Sequence, residues 1–144
     1  MKTPPFESHF QSFAEISDPA RAAPRIAALR AELKRRALDG FIAPRADEHQ
    51  NEYVPPGAER LSWLTGFSGS AGIAVVTRKA AALFVDGRYT VQSRQQVDSD
   101  IFTILQVPEA KLADWLIEKL PRDAVVGFDP WLHTVCEIEQ RTAD

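Results

Sequence analysis

Features that mark special classes of protein are missing from this 144-residue sequence. Its single cysteine, Cys136, excludes an internal disulfide and is compatible with a reducing compartment. No apolar run approaches the roughly 20 residues that a membrane-spanning helix needs. The first 23 residues also lack the charged, apolar and small-residue order of a signal peptide. We therefore expect a cytoplasmic protein with no membrane partner.

The charge balance does not indicate a nucleic-acid-binding surface. The net charge is -3 and the sequence pI is about 5.6, whereas nucleic-acid-binding domains usually carry a basic face. Hydrophobic residues make up 44% of the chain and charged residues 26%, which is typical of a soluble globular domain. The length suits one such domain with a core of its own.

Local patterns that carry catalysis are also missing. The three histidines, His9, His49 and His133, are far apart, and neither a His-Glu-x-x-His nor a Cys-x-x-Cys pair occurs. A nucleophile elbow needs Gly-x-Ser-x-Gly, but Ser68 is followed at that spacing by Ser70. No phosphate-binding glycine motif is present. The sequence therefore predicts no catalytic residue and no metal ligand in this chain.

Alternating helix and strand signals run along the chain from residue 24. Hydrophobic periodicity predicts an opening helix at residues 24–39, with Pro24 in its first turn and Gly40 as its stop. Further helices are predicted at 58–65, 88–97, 111–120 and from 133 onward, and strands at 41–43, 73–77, 80–86, 101–107 and 125–128. This order predicts an α/β fold, a layered mixed β-sheet flanked by helices.

The first 23 residues have no sustained hydrophobic period. We expect residues 1–23 to be a flexible N-terminal extension and residues 24–144 to form the domain. The polar last residues carry no helix-stop signal, which we interpret as a helix cut part-way at a domain boundary.

Three polar or glycine-rich segments stand out between the apolar ones. One is the loop at residues 47–53, and another is the turn at residues 66–72, where glycines allow positive φ or close backbone approach. The third is Asp86-Gly87-Arg88-Tyr89, at a strand-to-helix junction. A cation in a first helical turn opposes the helix dipole, so Arg88 needs an anionic partner. That partner is either internal (Asp47, Glu48 or Asp86) or a carboxylate on another domain or a substrate.

These segments together resemble the first domain of three-domain Xaa-Pro aminopeptidases. The order and spacing agree as well as the motifs, which are Ala43-Pro44-Arg45-Ala46-Asp47-Glu48-His49-Gln50-Asn51-Glu52-Tyr53, Arg60, Ser68-Gly69-Ser70-Ala71-Gly72, Asp86-Gly87-Arg88-Tyr89 and Gly127-Phe128-Asp129-Pro130. One departure is Ser68, where the family often has an aspartate.

The resemblance implies a creatinase-type N-terminal domain, followed in the family by a second similar domain and a C-terminal catalytic domain. That catalytic domain holds a dinuclear metal centre, usually manganese, and removes the N-terminal residue from peptides with proline second. The implied partners are those two domains of the same chain, a second copy in a homodimer, and the peptide substrate. None of the metal ligands can be carried onto positions of this sequence.

The resemblance also implies roles for residues of this chain. Arg88 matches an arginine near the mouth of the active site, and we group His49 and Tyr53 with it as candidate substrate-access residues. Seven further motif positions are candidate structural residues, namely Asp47, Gly69, Ser70, Gly72, Asp86, Gly87 and Tyr89.

Two other interpretations stay open. The chain could be a stand-alone binding or regulatory module of the same fold, or the N-terminal domain of a prolidase or creatinase relative. The loop at residues 47–53 and the Asp86–Tyr89 motif favour the aminopeptidase.

Overall fold

Ten α-helices and β-strands follow one another in the predicted order across the part of the chain that the structure describes. The structure is a computed structural model and describes residues 17–143. The elements are α1 (Ala22–Arg35), β1 (Gly40–Pro44), α2 (Arg60–Thr65), β2 (Ile73–Thr77), β3 (Ala81–Asp86), α3 (Thr90–Gln96), β4 (Thr103–Val107), α4 (Leu112–Lys119), β5 (Val126–Phe128) and α5 (Val135–Ala143).

The five strands form one mixed sheet in the order β4-β3-β2-β1-β5. β2 pairs antiparallel with β1 and with β3, whereas β1–β5 and β3–β4 are parallel pairs. Four strands therefore run in one direction and β2 runs against them. The predicted α/β fold with a mixed sheet is confirmed.

Side chains alternate between two core layers, one on each face of the sheet. On one face Ala74, Val76 and Leu83 pack in a core that also holds apolar residues of α1 and α2. On the other face Val75, Ala82, Phe84 and Trp115 pack together, with Trp115 contributed by α4. Both faces are covered, which explains why β2 and β3 read as continuous apolar runs rather than as alternating ones.

The hairpin between β2 and β3 turns without an Asn-Gly signal. The hydroxyl of Thr77 accepts hydrogen bonds from the backbone N–H groups of Lys79 and Ala80. A side chain that satisfies backbone donors in this way stabilises a tight turn.

The bounds of α1 differ from the prediction at both ends. A 3-10 turn at Pro19–Arg21 leads directly into the helix, which ends at Arg35 instead of residue 39. Ala37 takes the left-handed conformation, with φ 55°, and Gly40 begins β1 instead of stopping the helix. The helix ends in a local cap, in which the Leu38 N–H donates to the Leu33 carbonyl at 2.9 Å, and Asp39 then bonds through its backbone and its carboxylate to Val125, beside β5.

Residues 1–16 of the predicted N-terminal extension lie outside the described residues. Within the part of that segment which the structure describes, the Ser17 hydroxyl donates hydrogen bonds to the carbonyls of Gly66 and Gln96. Across residues 17–143 no helix has both the length and the apolar character needed to cross a membrane.

Candidate functional site

The sheet topology brings the polar motifs to one edge. β1, β3 and β5 run in the same direction, so the segments that follow them leave the sheet on the same side. The turn at residues 66–72 precedes the reversed strand β2 and lies on that side as well, since Ile73 pairs with Pro44 and with Phe84. We call this side the carboxyl edge. Ligands of open α/β sheets usually bind beyond the carboxyl ends of the strands.

Arg45 ties two of these segments together. It directly follows β1, and its side chain is only 12% exposed. Nη1 donates hydrogen bonds to the carbonyl of Glu52 at 2.8 Å and to that of Ser70 at 3.2 Å, and Nη2 lies 3.8 Å from the Glu59 carboxylate. The polar loop is thereby held against the glycine turn. In the sequence, Arg45 is recognisable only as part of the polar motif. Its position directly after a buried strand is the one sequence signal that it could join the loop to the glycine turn.

Tyr89 joins the glycine turn to the segment after β3. Its hydroxyl accepts a 3.2 Å hydrogen bond from the Ser70 backbone N–H and also bonds the Ser70 hydroxyl. Its ring meets that of Phe67 edge to face, with the centroids 5.4 Å apart. Such edge-to-face pairs add to the stabilisation that burial alone gives. Tyr89 and Ser70 therefore fix the shape of the edge between two loops.

Different structural constraints favour glycine at the glycine positions of the turn. Gly66 has φ 84°, which L side chains rarely adopt. A Cβ on Gly69 would lie 2.2 Å from the Phe67 ring, and one on Gly72 would lie 3.1 Å from it. A Cβ on Gly87 would meet nothing within 4 Å, so nothing among the described residues requires glycine there.

Arg88 has an internal anionic partner, which is Asp86. Nε lies 3.1 Å from both carboxylate oxygens of Asp86, and Nη2 lies 2.6 Å from one of them. Asp86 also accepts from the Arg88 backbone N–H at 2.9 Å. These hydrogen bonds hold the pKa of Asp86 below its usual value and raise that of Arg88.

The pairing leaves part of the guanidinium facing outward. The Arg88 side chain is 70% exposed, and its Nη1 group makes no hydrogen bond within residues 17–143. Arg88 lies in a 3-10 turn, Gly87–Tyr89, that precedes α3, and not in the first turn of the helix as predicted. The opposition to the helix dipole is therefore weaker than the sequence suggested, because the dipole acts mainly within the first turn.

Asp47 shapes the polar loop from inside. It is only 3% exposed, and one carboxylate oxygen accepts the backbone N–H groups of His49 at 2.9 Å and Asn51 at 3.0 Å. The other oxygen accepts from the Asn51 side chain at 3.2 Å. The hydrogen bond from the Asn51 backbone is the main reason that the pKa of Asp47 lies below its ordinary value of 3.8.

His49 and Tyr53 stand in solvent on the same loop. His49 lies 3.3 Å from the Glu48 carboxylate, and both side chains are exposed. The Tyr53 side chain is 87% exposed, more than any other large hydrophobic side chain among residues 17–143. Asp47 therefore acts as the internal support of this loop, while His49 and Tyr53 are available to contact another molecule.

The acid dependence of stability should report on Asp47. A carboxyl group with a lowered pKa in the folded state stabilises the fold above its unfolded pKa, and that contribution is lost as the pH falls through the lowered value. We expect urea unfolding midpoints of the wild type and of Asp47→Asn to differ at pH 6–7 and to converge as the pH falls below about 3.8. The matched control is Asp123→Asn, which removes an exposed carboxylate with no hydrogen bond in the described chain. A gap between wild type and Asp47→Asn that is constant with pH would contradict this account.

The described residues do not fit a dinuclear metal centre. Within residues 17–143 no group of three or more His, Cys, Asp or Glu side chains could hold a metal ion. On the polar loop, both oxygens of Asp47 are already engaged by loop donors. Ser68, at the position where the family often has an aspartate, bonds Gln96 and Gln92 instead.

The chain belongs to a known family of domains. The family model for the creatinase/prolidase N-terminal domain matches residues 25–143. Xaa-Pro aminopeptidase 2 of Rattus norvegicus is 40% identical over 111 residues, which are 77% of this chain and 16% of that protein. Aminopeptidase P1 of Arabidopsis thaliana is 42% identical over 99 residues, 68% of this chain and 15% of that protein. This chain is therefore a creatinase/prolidase N-terminal domain, and it spans about a sixth of the length of these relatives.

Solved structures agree with this assignment. X-prolyl aminopeptidase of Caenorhabditis elegans, a cytosolic enzyme with a di-nuclear active site, superposes with a TM-score of 0.77 at 32% identity. The match covers 83% of this chain and 22% of that enzyme. The N-terminal domain of the cytoplasmic peptidase PepQ of Mycobacterium tuberculosis H37Rv superposes with a TM-score of 0.62 at 24% identity, covering 83% of each chain. The second match shows the fold alone.

Proposed function

We propose that this chain is the non-catalytic N-terminal domain of a metal-dependent Xaa-Pro aminopeptidase, a hydrolase that removes the N-terminal residue from peptides with proline second. The observation that carries the proposal is 40–42% identity to Xaa-Pro aminopeptidase 2 and aminopeptidase P1 over this segment. The lack of a fitting ligand cluster within residues 17–143 is compatible with a dinuclear centre, manganese in our proposal, in a separate catalytic domain. The expected location is the cytoplasm, as for the C. elegans enzyme.

The carboxyl edge would shape substrate access and contacts between domains or between the two copies of a dimer. Arg88 is oriented by Asp86 and offers its remaining N–H groups outward. A guanidinium in this state suits a carbonyl or carboxylate of a peptide or a neighbouring domain. His49 and Tyr53, on the loop that Arg45 holds, add exposed polar and aromatic contacts.

The proposal predicts a specific effect of Arg88→Ala. In the C. elegans enzyme with its matching segment replaced by residues 25–143 of this chain, Arg88→Ala should lower kcat/KM for Xaa-Pro peptides about tenfold or more. The reason is the loss of a charge-assisted hydrogen bond at the mouth of the active site. Arg122→Ala, another exposed arginine outside the carboxyl edge, is the control.

Stability should change little in either variant, because exposed ion pairs contribute little. Unchanged kcat/KM in Arg88→Ala, with the replaced enzyme active, would refute the access role of Arg88. A replaced enzyme that folds but hydrolyses no Xaa-Pro peptide would count against the aminopeptidase assignment.

A further inference from the structure

An apolar groove lies between α4, β5 and α5, on the face of the sheet where Trp115 packs. Its volume is about 520 Å³, and its lining includes Ile42, Leu112, Leu116, Val126 and Ile138. We call it the α4–α5 groove. Sites for small molecules usually have volumes of about 300–1,000 Å³ and an apolar lining with a few polar groups. The groove therefore has the size and the lining of such a site.

The charged side chains of this lining all carry positive charge. They are Lys111 and Arg141, and no acidic side chain among residues 17–143 lines the groove. Thr142 is the third polar residue of the lining, and its hydroxyl donates to the Ile138 carbonyl within α5. The Lys111 side chain makes no hydrogen bond or ion pair in the described chain. Two cations therefore border an apolar surface without an anion to balance them.

Arg141 has a particular need for an anionic partner. Its Nε atom is buried and has no hydrogen-bond partner within the part of the chain that the structure describes. Glu137, one turn earlier on α5, accepts the backbone N–H of Thr134 at 2.8 Å and its hydroxyl at 3.1 Å instead. Burying an unpaired charged group is unfavourable unless another group compensates it. An anion bound in the groove would compensate the charge of this guanidinium.

We propose that the α4–α5 groove binds a medium-chain alkyl carboxylate, with the alkyl chain on the apolar lining and the carboxylate paired with Arg141 and Lys111. A guanidinium suits a carboxylate because it offers two parallel N–H donors, and an ammonium group adds a second positive charge. The apolar lining favours an alkyl chain over a polar ligand because burying apolar surface drives binding. This inference does not depend on the proposed function.

Isothermal titration calorimetry of the 144-residue chain with octanoate, below the concentrations at which it forms micelles, tests the site. Octanoate should bind at one site per chain. Octanol, which has no charge, and octylamine, which has the opposite charge, should bind roughly tenfold more weakly or worse, because each loses a charge-assisted hydrogen bond. Hexanoate should bind up to about fourfold more weakly for each CH₂ that it lacks.

Two substitutions separate the contribution of charge from that of the apolar lining. Lys111→Gln/Arg141→Gln should weaken octanoate binding about tenfold or more and leave octanol binding unchanged. The matched control, Lys79→Gln/Arg94→Gln, removes the same charge from exposed positions outside the lining and should change neither affinity. Should the double variant at the groove not fold, Lys111→Gln alone carries the comparison.

Ala113→Leu fills part of the groove, since Ala113 belongs to its lining. This variant should weaken octanoate and octanol binding alike, by severalfold, because it removes space for the alkyl chain. Three outcomes would overturn the proposal: no octanoate binding, equal affinity for octanoate and octylamine, or equal losses in the groove variant and its control. Octanoate binding that is unchanged in Ala113→Leu would place the ligand elsewhere on the chain and would overturn it too.

Discussion

Gly69→Ala should destabilise the domain by about 1–3 kcal/mol, as expected for overpacking of a buried site. The new Cβ would lie 2.2 Å from Cζ of Phe67 and 2.8 Å from both neighbouring ring carbons. Carbon atoms in good contact are roughly 3.5–4.0 Å apart, so the ring must move. It has little room to do so, because Phe67 is 1% exposed and Gly72 packs closely on it as well.

Movement of the Phe67 ring should also alter the candidate site. Phe67 meets Tyr89 edge to face, and Tyr89 bonds Ser70 in the glycine turn. We therefore expect faster amide hydrogen exchange at Ser70 in Gly69→Ala than in the wild type.

Gly57→Ala is the matched control for this prediction. A Cβ on Gly57 meets nothing within 4 Å, and no positive φ strains the backbone there. Its free energy of unfolding, measured by urea titration, should stay within about 0.5 kcal/mol of the wild type. If Gly69→Ala and Gly57→Ala had the same free energy of unfolding, the Phe67 ring would not be packed tightly against Gly69.

Local sequence patterns predicted the order of helices and strands, because the spacing of apolar residues that are close in sequence determines which type of element forms. Leu61 and Leu64, three residues apart, are buried in α2, as hydrophobic periodicity predicts for one face of a helix. In α4, Trp115 is buried, and Leu112 and Leu116 pack with it in the same core. The layered α/β fold with a mixed sheet was predicted from this order of elements.

Local sequence patterns did not predict the contacts between residues that are distant in sequence. Asp39, which follows α1, bonds Val125, 86 positions away in sequence. Arg45 reaches Ser70, 25 positions away, and no local spacing reveals that bond. The partner of Arg88 was one of several acids considered, and only the geometry selects Asp86. That Arg88, His49 and Tyr53 serve substrate access stays a prediction.

The domain alone should lack peptidase activity, which is the largest effect we predict. A two-metal hydrolase needs carboxylates that bridge ions roughly 3.5–4 Å apart. The described residues supply no such group, and Asp47 and Asp86 are engaged in local hydrogen bonds. The same segment placed in the C. elegans enzyme, which has a di-nuclear active site, should support turnover of an Xaa-Pro tripeptide.

The most direct measurement is turnover and metal content of the purified 144-residue chain in the presence of manganese. The account predicts no hydrolysis of an Xaa-Pro tripeptide and no stoichiometric bound metal. Turnover that persists through purification and stops with Arg88→Ala, or two manganese ions bound per chain, would contradict it.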